Sequence, residues 1–315
     1  MNSPPKALLI VEETEMIDAN ASGVTGKPVE YIRLTRERYQ KNGYDDYRWV
    51  FNEGPSGLTM PSKVLGKSRL TVIVSGGAYV AGQVAFHYKD DTGVRMIPKG
   101  VDAKDLRFAH VAEKFLVNAR KEPNCLVPVD ALARLERDGV VGAIIDPILS
   151  IMGGIYSSRK VREVVYPLLA EQISRSGADA VLLIPMCPIC HQSMSMLARM
   201  FDDAGIPSTC IVSALDIVQS VKPPRAAFVD YPLGHTAGKP NDPEDQYDIV
   251  KSALELFASV TEPGTIVDLG RSWDRDPEWK AKTLADDGVD RRGARDTTPR
   301  YQYPEDKMLA DAAVG

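Results

Sequence analysis

A chain of 315 residues, 44% of them hydrophobic, holds enough apolar material for one large α/β unit or two smaller domains, which argues against disorder. Its 38 basic and 43 acidic residues are well mixed and leave a net charge of −5, so no basic stripe is present to neutralise a phosphate backbone and nucleic acid is not an expected partner. No apolar run approaches the roughly 20 residues that span a bilayer, and the start MNSPPKALLIVEETE has one Lys, a short apolar patch and then acids; a cytoplasmic protein with no membrane partner is expected.

In chain order, the first 30 or so residues lack periodicity. Short continuous apolar runs at Leu70 to Val74, Ala180 to Ile184, Ser208 to Val212 and Ala226 to Val229 suit strands buried on both faces, as in a parallel sheet. Between the first two runs, Val161, Val164, Val165, Leu168, Leu169 and Ile173 form one helical stripe over Arg159 to Ser174, which Pro167 should kink or split. A helix should follow the motif Cys-Pro-Ile-Cys-His, with Met194, Leu197, Met200, Phe201 and Ala204 inward and Gly205 as its stop. Another should begin at Asn241-Asp242-Pro243-Glu244-Asp245, with Asp242 as N-cap and Ile249, Val250, Ala253, Leu254 and Phe257 inward. From Arg271 the chain becomes charged and poor in apolar residues, yet Trp273, Trp279, Tyr301 and Tyr303 give it anchors.

The alternation of strand and helix predicts a doubly wound three-layer α/β fold with a mainly parallel sheet, in which ligands bind beyond the carboxyl ends of the strands. We expect one α/β domain over 1–270 and an extended charged C-terminal arm over 271–315 that lies on the body or on a neighbouring subunit. The strand ends then point to four loops: Ser75 to Tyr79, Cys187 to His191, Ser213 to Asp216 and Asp230 to His235.

Four cysteines in so long a chain are too sparse for a disulfide scaffold, so Cys125 and Cys210 read as buried apolar residues. Cys187 and Cys190 invite chemistry. A thiol at a strand tip, with Pro188 opening a helix behind it, gains from the helix N-terminus as a thiolate, and Cys190 lies one helical turn on, close enough to form a disulfide. His191 offers a proton donor or ion-pair partner. Two other readings stand beside the redox one: half of a metal site, and two inert buried thiols. A closed zinc site needs four ligands and there is no second C-x-x-C; His87, His110, His191 and His235 come from four distant places. His235, flanked by Gly234 and Gly238, sits in another strand-end loop, and Ser75-Gly76-Gly77 could cradle an anion with backbone N–H groups or simply make a tight turn. Asp90 and Asp91 with His87 and His110 could hold a cation or position a base.

The segments LTRERYQKNGYDDYRWV, SGGAYVAGQVAF, ADAVLLIPMCPICHQSM, AGIPSTCIVSALDI and PPRAAFVDYPLGHTAGKPNDP together resemble the selenoprotein B family of glycine, sarcosine, betaine and D-proline reductases, in particular its short homologues. The resemblance covers about residues 32 to 257. It implies reductive cleavage of a C–N bond, with Cys187 in the place of the family's selenocysteine and Cys190 in that of the cysteine that resolves the adduct. A thiol is less acidic than a selenol and a poorer leaving group, so Cys187 would depend more on its surroundings for activation. The amino-acid reductases also use a pyruvoyl group from another subunit. Thr209-Cys210 superficially resembles its cleavage site, but it lies within a predicted strand, so a different substrate handle is expected, such as the Ser75 to Tyr79 loop or Arg225.

The resulting expectation is a thiol-dependent oxidoreductase for a small molecule. Its catalytic residues would be Cys187, Cys190, His191 and His235, and its substrate-binding residues Ser75, Gly76, Gly77, Tyr79, Asp230 and Gly234. No tightly bound cofactor and no metal ligand is assigned; an external thiol or thioredoxin-type reductant resets the site. A homo-oligomer, or a complex with a partner subunit, is expected. The alternatives are a metal-dependent lyase or hydrolase on Cys187, Cys190 and a histidine, and a non-catalytic subunit of a reductase complex.

Overall fold

The computed structural model describes residues 7–8, 26–284 and 296–314. Among them are eleven strands: β1 (Ala7–Leu8), β2 (Arg69–Val74), β3 (Ala78–Val80), β4 (Val94–Ile97), β5 (Leu106–Phe108), β6 (Ala143–Ile144), β7 (Ile148–Ile151), β8 (Ala180–Ile184), β9 (Ser208–Val212), β10 (Arg225–Asp230) and β11 (Thr265–Ser272). Nine form the central sheet in the order β1-β11-β10-β9-β8-β2-β7-β4, with β6 also paired to β2, while β3 and β5 make a separate two-stranded ribbon. Pairing is parallel from β11 through β7 and antiparallel only at the two edges, where β1 meets β11 and β4 meets β7.

The central strands are apolar on both faces because both faces are covered. Val72, Val74, Leu182, Ile184, Ile211 and Val229 pack with α2 (Val129–Arg137) and α7 (Pro243–Ser259) in one core. Ile73, Val181, Leu183, Val212 and Phe228 pack with α4 (Tyr166–Ser176) and α5 (Pro188–Asp203) in the other. Helices α1 (Tyr31–Lys41), α3 (Ser158–Lys160), α6 (Leu215–Val221), α8 (Trp279–Leu284) and α9 (Pro304–Val314) complete the described α-helices. This is the expected three-layer α/β fold with a mainly parallel sheet.

The expected strands over 70–74, 180–184, 208–212 and 226–229 appear at those places, the first and last extended by one or two residues. Helix α7 starts as its sequence dictates: Asp242 caps it by accepting from Asp245 N–H at 3.1 Å, Pro243 takes the first position, and all five inward residues are buried. The stripe around Pro167 is split. A π turn over Val161–Val165 precedes α4, and Pro167 falls in the first turn of α4, where its missing N–H costs nothing. Val161, Val165, Leu169 and Ile173 are buried, while Val164 and Leu168 are exposed. In α5, Met194, Leu197 and Phe201 are buried as expected, whereas Ala204 is exposed at the helix end.

Chain order along the sheet reverses beside β2. From β2 the chain moves outward to β7, returns to β8 on the other side of β2, and then continues through β9 and β10 to β11. The carboxyl ends of β2 and β8 therefore flank the topological switch point, where doubly wound sheets leave a crevice. Two C-terminal pieces are tied to the body. In the first, Lys280 pairs with Asp230 at 2.6 Å. In the second, Gln302 accepts from Phe108 N–H at 3.0 Å, and the buried Asp306 accepts from Arg107 at 3.2 Å and from the Tyr79 hydroxyl at 3.4 Å. Residues 1–6 and 9–25 of the expected irregular start, and residues 285–295 of the expected arm, lie outside the described residues.

Candidate active site

Strand β8 is fully buried and delivers Cys187 to the switch point. Cys187 is the N-cap of α5: its backbone is extended, Pro188 is the first helical residue, and its sulfur accepts from Cys190 N–H at 3.2 Å. The helix thus begins on the thiol, and one turn brings Cys190 Sγ to 2.8 Å from Cys187 Sγ. Both cysteines are free.

The third member comes from β5, just past its end. His110 Nε2 lies 3.6 Å from Cys187 Sγ and 3.7 Å from Cys190 Sγ. Ala112 N–H donates to His110 Nδ1 at 2.9 Å, which makes Nδ1 the acceptor and leaves the ring proton on Nε2, facing the sulfurs. Gly154 makes room for this ring: a Cβ there would stand 2.4 Å from Nε2. Gly153, in the left-handed region at φ +68°, likewise makes room for Ser75 and Cys190.

The two thiols titrate as one unit. Burial pushes Cys187 well above the usual thiol range, reinforced by its hydrogen bond with Cys190. Burial acts against ionisation of Cys190 as well, but there the hydrogen bonds from Cys187, His110 and Ser75 outweigh it and hold that thiol well below the usual range. The pair therefore gives up one proton more readily than the other and carries the resulting charge as a unit. The start of α5 and Cys190 N–H support that charge when it rests on Cys187.

A cavity of about 350 Å³ opens over this pair. Cys187, His110, Gly154, Pro188 and Ile189 belong to its wall, together with residues of α1 and Leu284. Cys190 is absent from that lining and fully buried. Helix α1 is held in place where Asp216 accepts from Ile32 N–H at 2.8 Å, and Tyr47, bridged to Gln192 and to the Tyr156 carbonyl, braces the adjoining wall.

Of the residues expected to act, the structure brings together Cys187 and Cys190, with Ser75 beneath them. It turns the others elsewhere. His191 is correctly next to the pair in sequence, but its ring is locked the other way: Nε2 accepts from Ser213 N–H at 2.9 Å, so Nδ1–H donates to the Cys187 carbonyl at 2.8 Å. Both nitrogens are used, and burial lowers its pKa to about 4, so the ring is a neutral brace between α5 and the end of β9. His235 is similarly enclosed; Asn118 and the Pro232 carbonyl take its two nitrogens and Trp273 lies over its ring at 4.7 Å.

Gly76 and Gly77 do not cradle an anion, because their N–H groups donate to the carbonyls of Met152 and Ile151. Gly77 is required for a different reason: a Cβ there would fall 2.0 Å from the Ala109 carbonyl oxygen. Gly234 is packed against the Phe115 carbonyl in the same way and donates its N–H to Met186. Tyr79 holds the C-terminal segment, accepting from Gln302 N–H at 2.8 Å, and Asp230 holds Lys280. Arg225 is no substrate handle: it is fully buried and donates to Thr59 and Asp202. The proposed Asp90, Asp91, His87 and His110 group is dispersed, with His87 beside Asp91, Asp90 accepting from Tyr156 N–H, and His110 on the thiols. Cys125 and Cys210 are buried apolar residues whose thiols burial pushes up.

Comparison with known proteins sets this geometry in context. The chain is 29% identical over 216 residues to the D-proline reductase subunit gamma of Acetoanaerobium sticklandii, covering 68% of this chain and 88% of that one. The chain is a homologue of reductase subunits. Others are the betaine reductase complex component B subunit beta of Peptoclostridium acidaminophilum, 23% identical over 66% of this chain, and the glycine reductase complex component B subunit gamma of Symbiobacterium thermophilum, 25% identical over 47%. The chain spans 49% and 35% of the lengths of these two. No family profile matches, and no solved structure does. Among the described residues no helix is long and apolar enough to cross a membrane.

Proposed function

We propose that this chain is a thiol-dependent reductase that cleaves a bond between carbon and a heteroatom in a small molecule. The observation that carries the reading is the arrangement of the groups: a cavity, the Cys187 sulfur in its wall, the Cys190 sulfur 2.8 Å away but outside that wall, and the His110 N–H facing both. The Cys187 thiolate attacks the electrophilic carbon or heteroatom; the bond to the leaving group breaks with its electron pair, and His110 Nε2–H supplies the proton. The Cys190 thiolate then attacks the Cys187 sulfur. A disulfide forms, the electron pair of the broken sulfur–substrate bond passes to the product, and a proton completes it. The dithiol has given up two electrons, and an external thiol or thioredoxin-type reductant restores it.

The names of the relatives support reductase chemistry and also a partner subunit, since each is one subunit of a larger assembly. The same three side chains could in principle hold a metal, as their ligand atoms lie within 4.8 Å of one another. Two features favour acid and thiols over ligands. A histidine ligating through Nε2 ordinarily donates its Nδ1–H, whereas here Nδ1 accepts. Two thiolates on a tetrahedral zinc, each about 2.3 Å from it, stand about 3.8 Å apart, against 2.8 Å here.

The test compares Cys187→Ser with Cys190→Ser after exposure to compounds bearing a leaving group next to a carbonyl. Intact mass and peptide mapping should find an adduct at Cys187 in the second variant and none in the first. Equal adduct formation, or equal full turnover by both, overturns the reading.

A further inference from the structure

We infer that the reductant resetting the Cys187–Cys190 disulfide is a small-molecule dithiol and not a redox protein. The inference rests on the proposed function for the disulfide itself; the class of reductant follows from where the two sulfurs lie.

In thiol–disulfide exchange a thiolate must reach one sulfur, and the other sulfur leaves. Cys190 is fully buried and Cys187 is 3% exposed, and of the two only Cys187 belongs to the cavity wall. Attack therefore falls on the Cys187 sulfur from inside the cavity, and Cys190 departs. Cys190 is also the better leaving group: against burial, hydrogen bonds from Cys187, His110 and Ser75 hold its thiol well below the usual range.

A protein thiol would have to meet the Cys187 sulfur at the surface, and local opening does not bring it there. Residues 189 to 198 of α5 are all buried. The first turns of that helix are tied to three other segments: Gln192 bonds Val50 N–H at 2.7 Å and the Tyr47 hydroxyl at 2.8 Å, Ser193 donates to the Gly153 carbonyl at 2.8 Å, and His191 accepts from Ser213 N–H at 2.9 Å. Helix α1, which lines the same cavity, is anchored by the buried Tyr31 and by Asp216. The cavity of about 350 Å³ nevertheless admits a compound of a few heavy atoms whole.

The second cysteine decides between one thiol and two. Attack by a monothiol gives a mixed disulfide on Cys187 and a Cys190 thiolate, and in the reduced pair the two sulfurs stand 2.8 Å apart. Cys190 then expels the monothiol in an intramolecular step that outruns a second bimolecular attack. A dithiol escapes this return. Its second thiol attacks its own sulfur in the mixed disulfide, a cyclic disulfide leaves, and the electron pair of the broken bond goes to Cys187. The dithiol loses two electrons and two protons, and the cysteine pair gains them.

The test oxidises the full chain with 5,5′-dithiobis(2-nitrobenzoate) and follows its reduction by iodoacetamide labelling and peptide mapping of Cys187 and Cys190. The reductants are dithiothreitol, 2-mercaptoethanol at equal thiol concentration, and thioredoxin kept reduced by its reductase and NADPH, with insulin as the control that the thioredoxin is active. Dithiothreitol should act at least about a hundredfold faster than 2-mercaptoethanol, and at least about tenfold faster than thioredoxin at equal dithiol concentration. In Cys190→Ser carrying thionitrobenzoate on Cys187, no cysteine expels the attacker. There the two small thiols should release the aryl group at rates within about threefold of each other, while thioredoxin stays slow. Thioredoxin outpacing dithiothreitol on either protein, a monothiol matching dithiothreitol on the unaltered chain, or a pair that does not close under the oxidant overturns the inference. An adduct test that fails while the predicted order of reductants holds removes the cleavage chemistry and leaves the redox pair with its reductant.

Discussion

Gly154→Ala probes the role of His110 with one methyl group. The added Cβ would stand 2.4 Å from His110 Nε2 and 3.0 Å from Cε1, whereas carbon and its non-bonded neighbours settle at about 3.5–4.0 Å. The imidazole must therefore retreat by roughly 1 Å. It is 1% exposed and its Nδ1 is tied to Ala112 N–H, so it can retreat only by leaving the two sulfurs. Gly154 itself has no positive φ, which frees the substitution from backbone strain. A charge-assisted hydrogen bond contributes about 1.5–3 kcal/mol, so its loss lowers the thiolate population, and with it the rate of Cys187 alkylation at neutral pH, by about tenfold to a hundredfold. The assay is the pH dependence of iodoacetamide labelling at Cys187, read beside His110→Ala and a urea melt that confirms folding. Both variants should shift the profile upward. A Gly154→Ala protein that labels as fast as the unaltered chain, with the same pH profile, would refute the assignment of His110 to the thiols.

Other consequences are more local. Removing the buried carboxylate in Asp202→Ala leaves Arg225, paired at 3.3 Å and fully buried, without its counter-charge, and should cost about 3–5 kcal/mol in chemical denaturation. His235 is held neutral by burial, its pKa lowered from 6.5 to about 4. Acid therefore protonates the unfolded chain first, and the stability present above the unfolded value is lost as pH falls. Between pH 7 and pH 5 this histidine should account for about 2 kcal/mol; His235→Gln should remove that share of the slope, and an unchanged slope contradicts the burial argument. Asp242→Ala takes the cap from α7 and should lower stability by about 1 kcal/mol, a loss that Asp242→Ser should largely recover.

The core of the sheet was legible because its strands are covered on both faces. Continuous apolar runs such as Ala180 to Ile184 have no other use in a chain with this alternation, and they placed Cys187 at a carboxyl edge. The edge strand β4 and the short ribbon of β3 and β5 carry mixed residues with partial exposure, and periodicity could not separate them from loops. The histidines show the limit most plainly. Proximity in sequence favoured His191, yet on a helix start the next residue points to the neighbouring strand, where Ser213 N–H captures it. His110 lies 77 positions from Cys187, and its one sequence signal is that it follows the short apolar stretch Leu106 to Phe108, which ends at the same edge. The glycines misled for a related reason. Paired glycines after a strand serve an anion cradle and a close backbone approach equally well, and only the contact with Ala109 distinguishes the two.

The central claim is an ordered dithiol, with Cys187 attacking first and Cys190 resolving. Reaction of the reduced protein with an aromatic disulfide such as 5,5′-dithiobis(2-nitrobenzoate) tests that order without knowledge of the substrate. The account predicts rapid release of both aryl thiols and a Cys187–Cys190 disulfide in the unaltered chain, release of one with a stable mixed disulfide on Cys187 in Cys190→Ser, and no rapid phase in Cys187→Ser. A mixed disulfide that accumulates on Cys190, or a rapid phase that survives loss of Cys187, would contradict it.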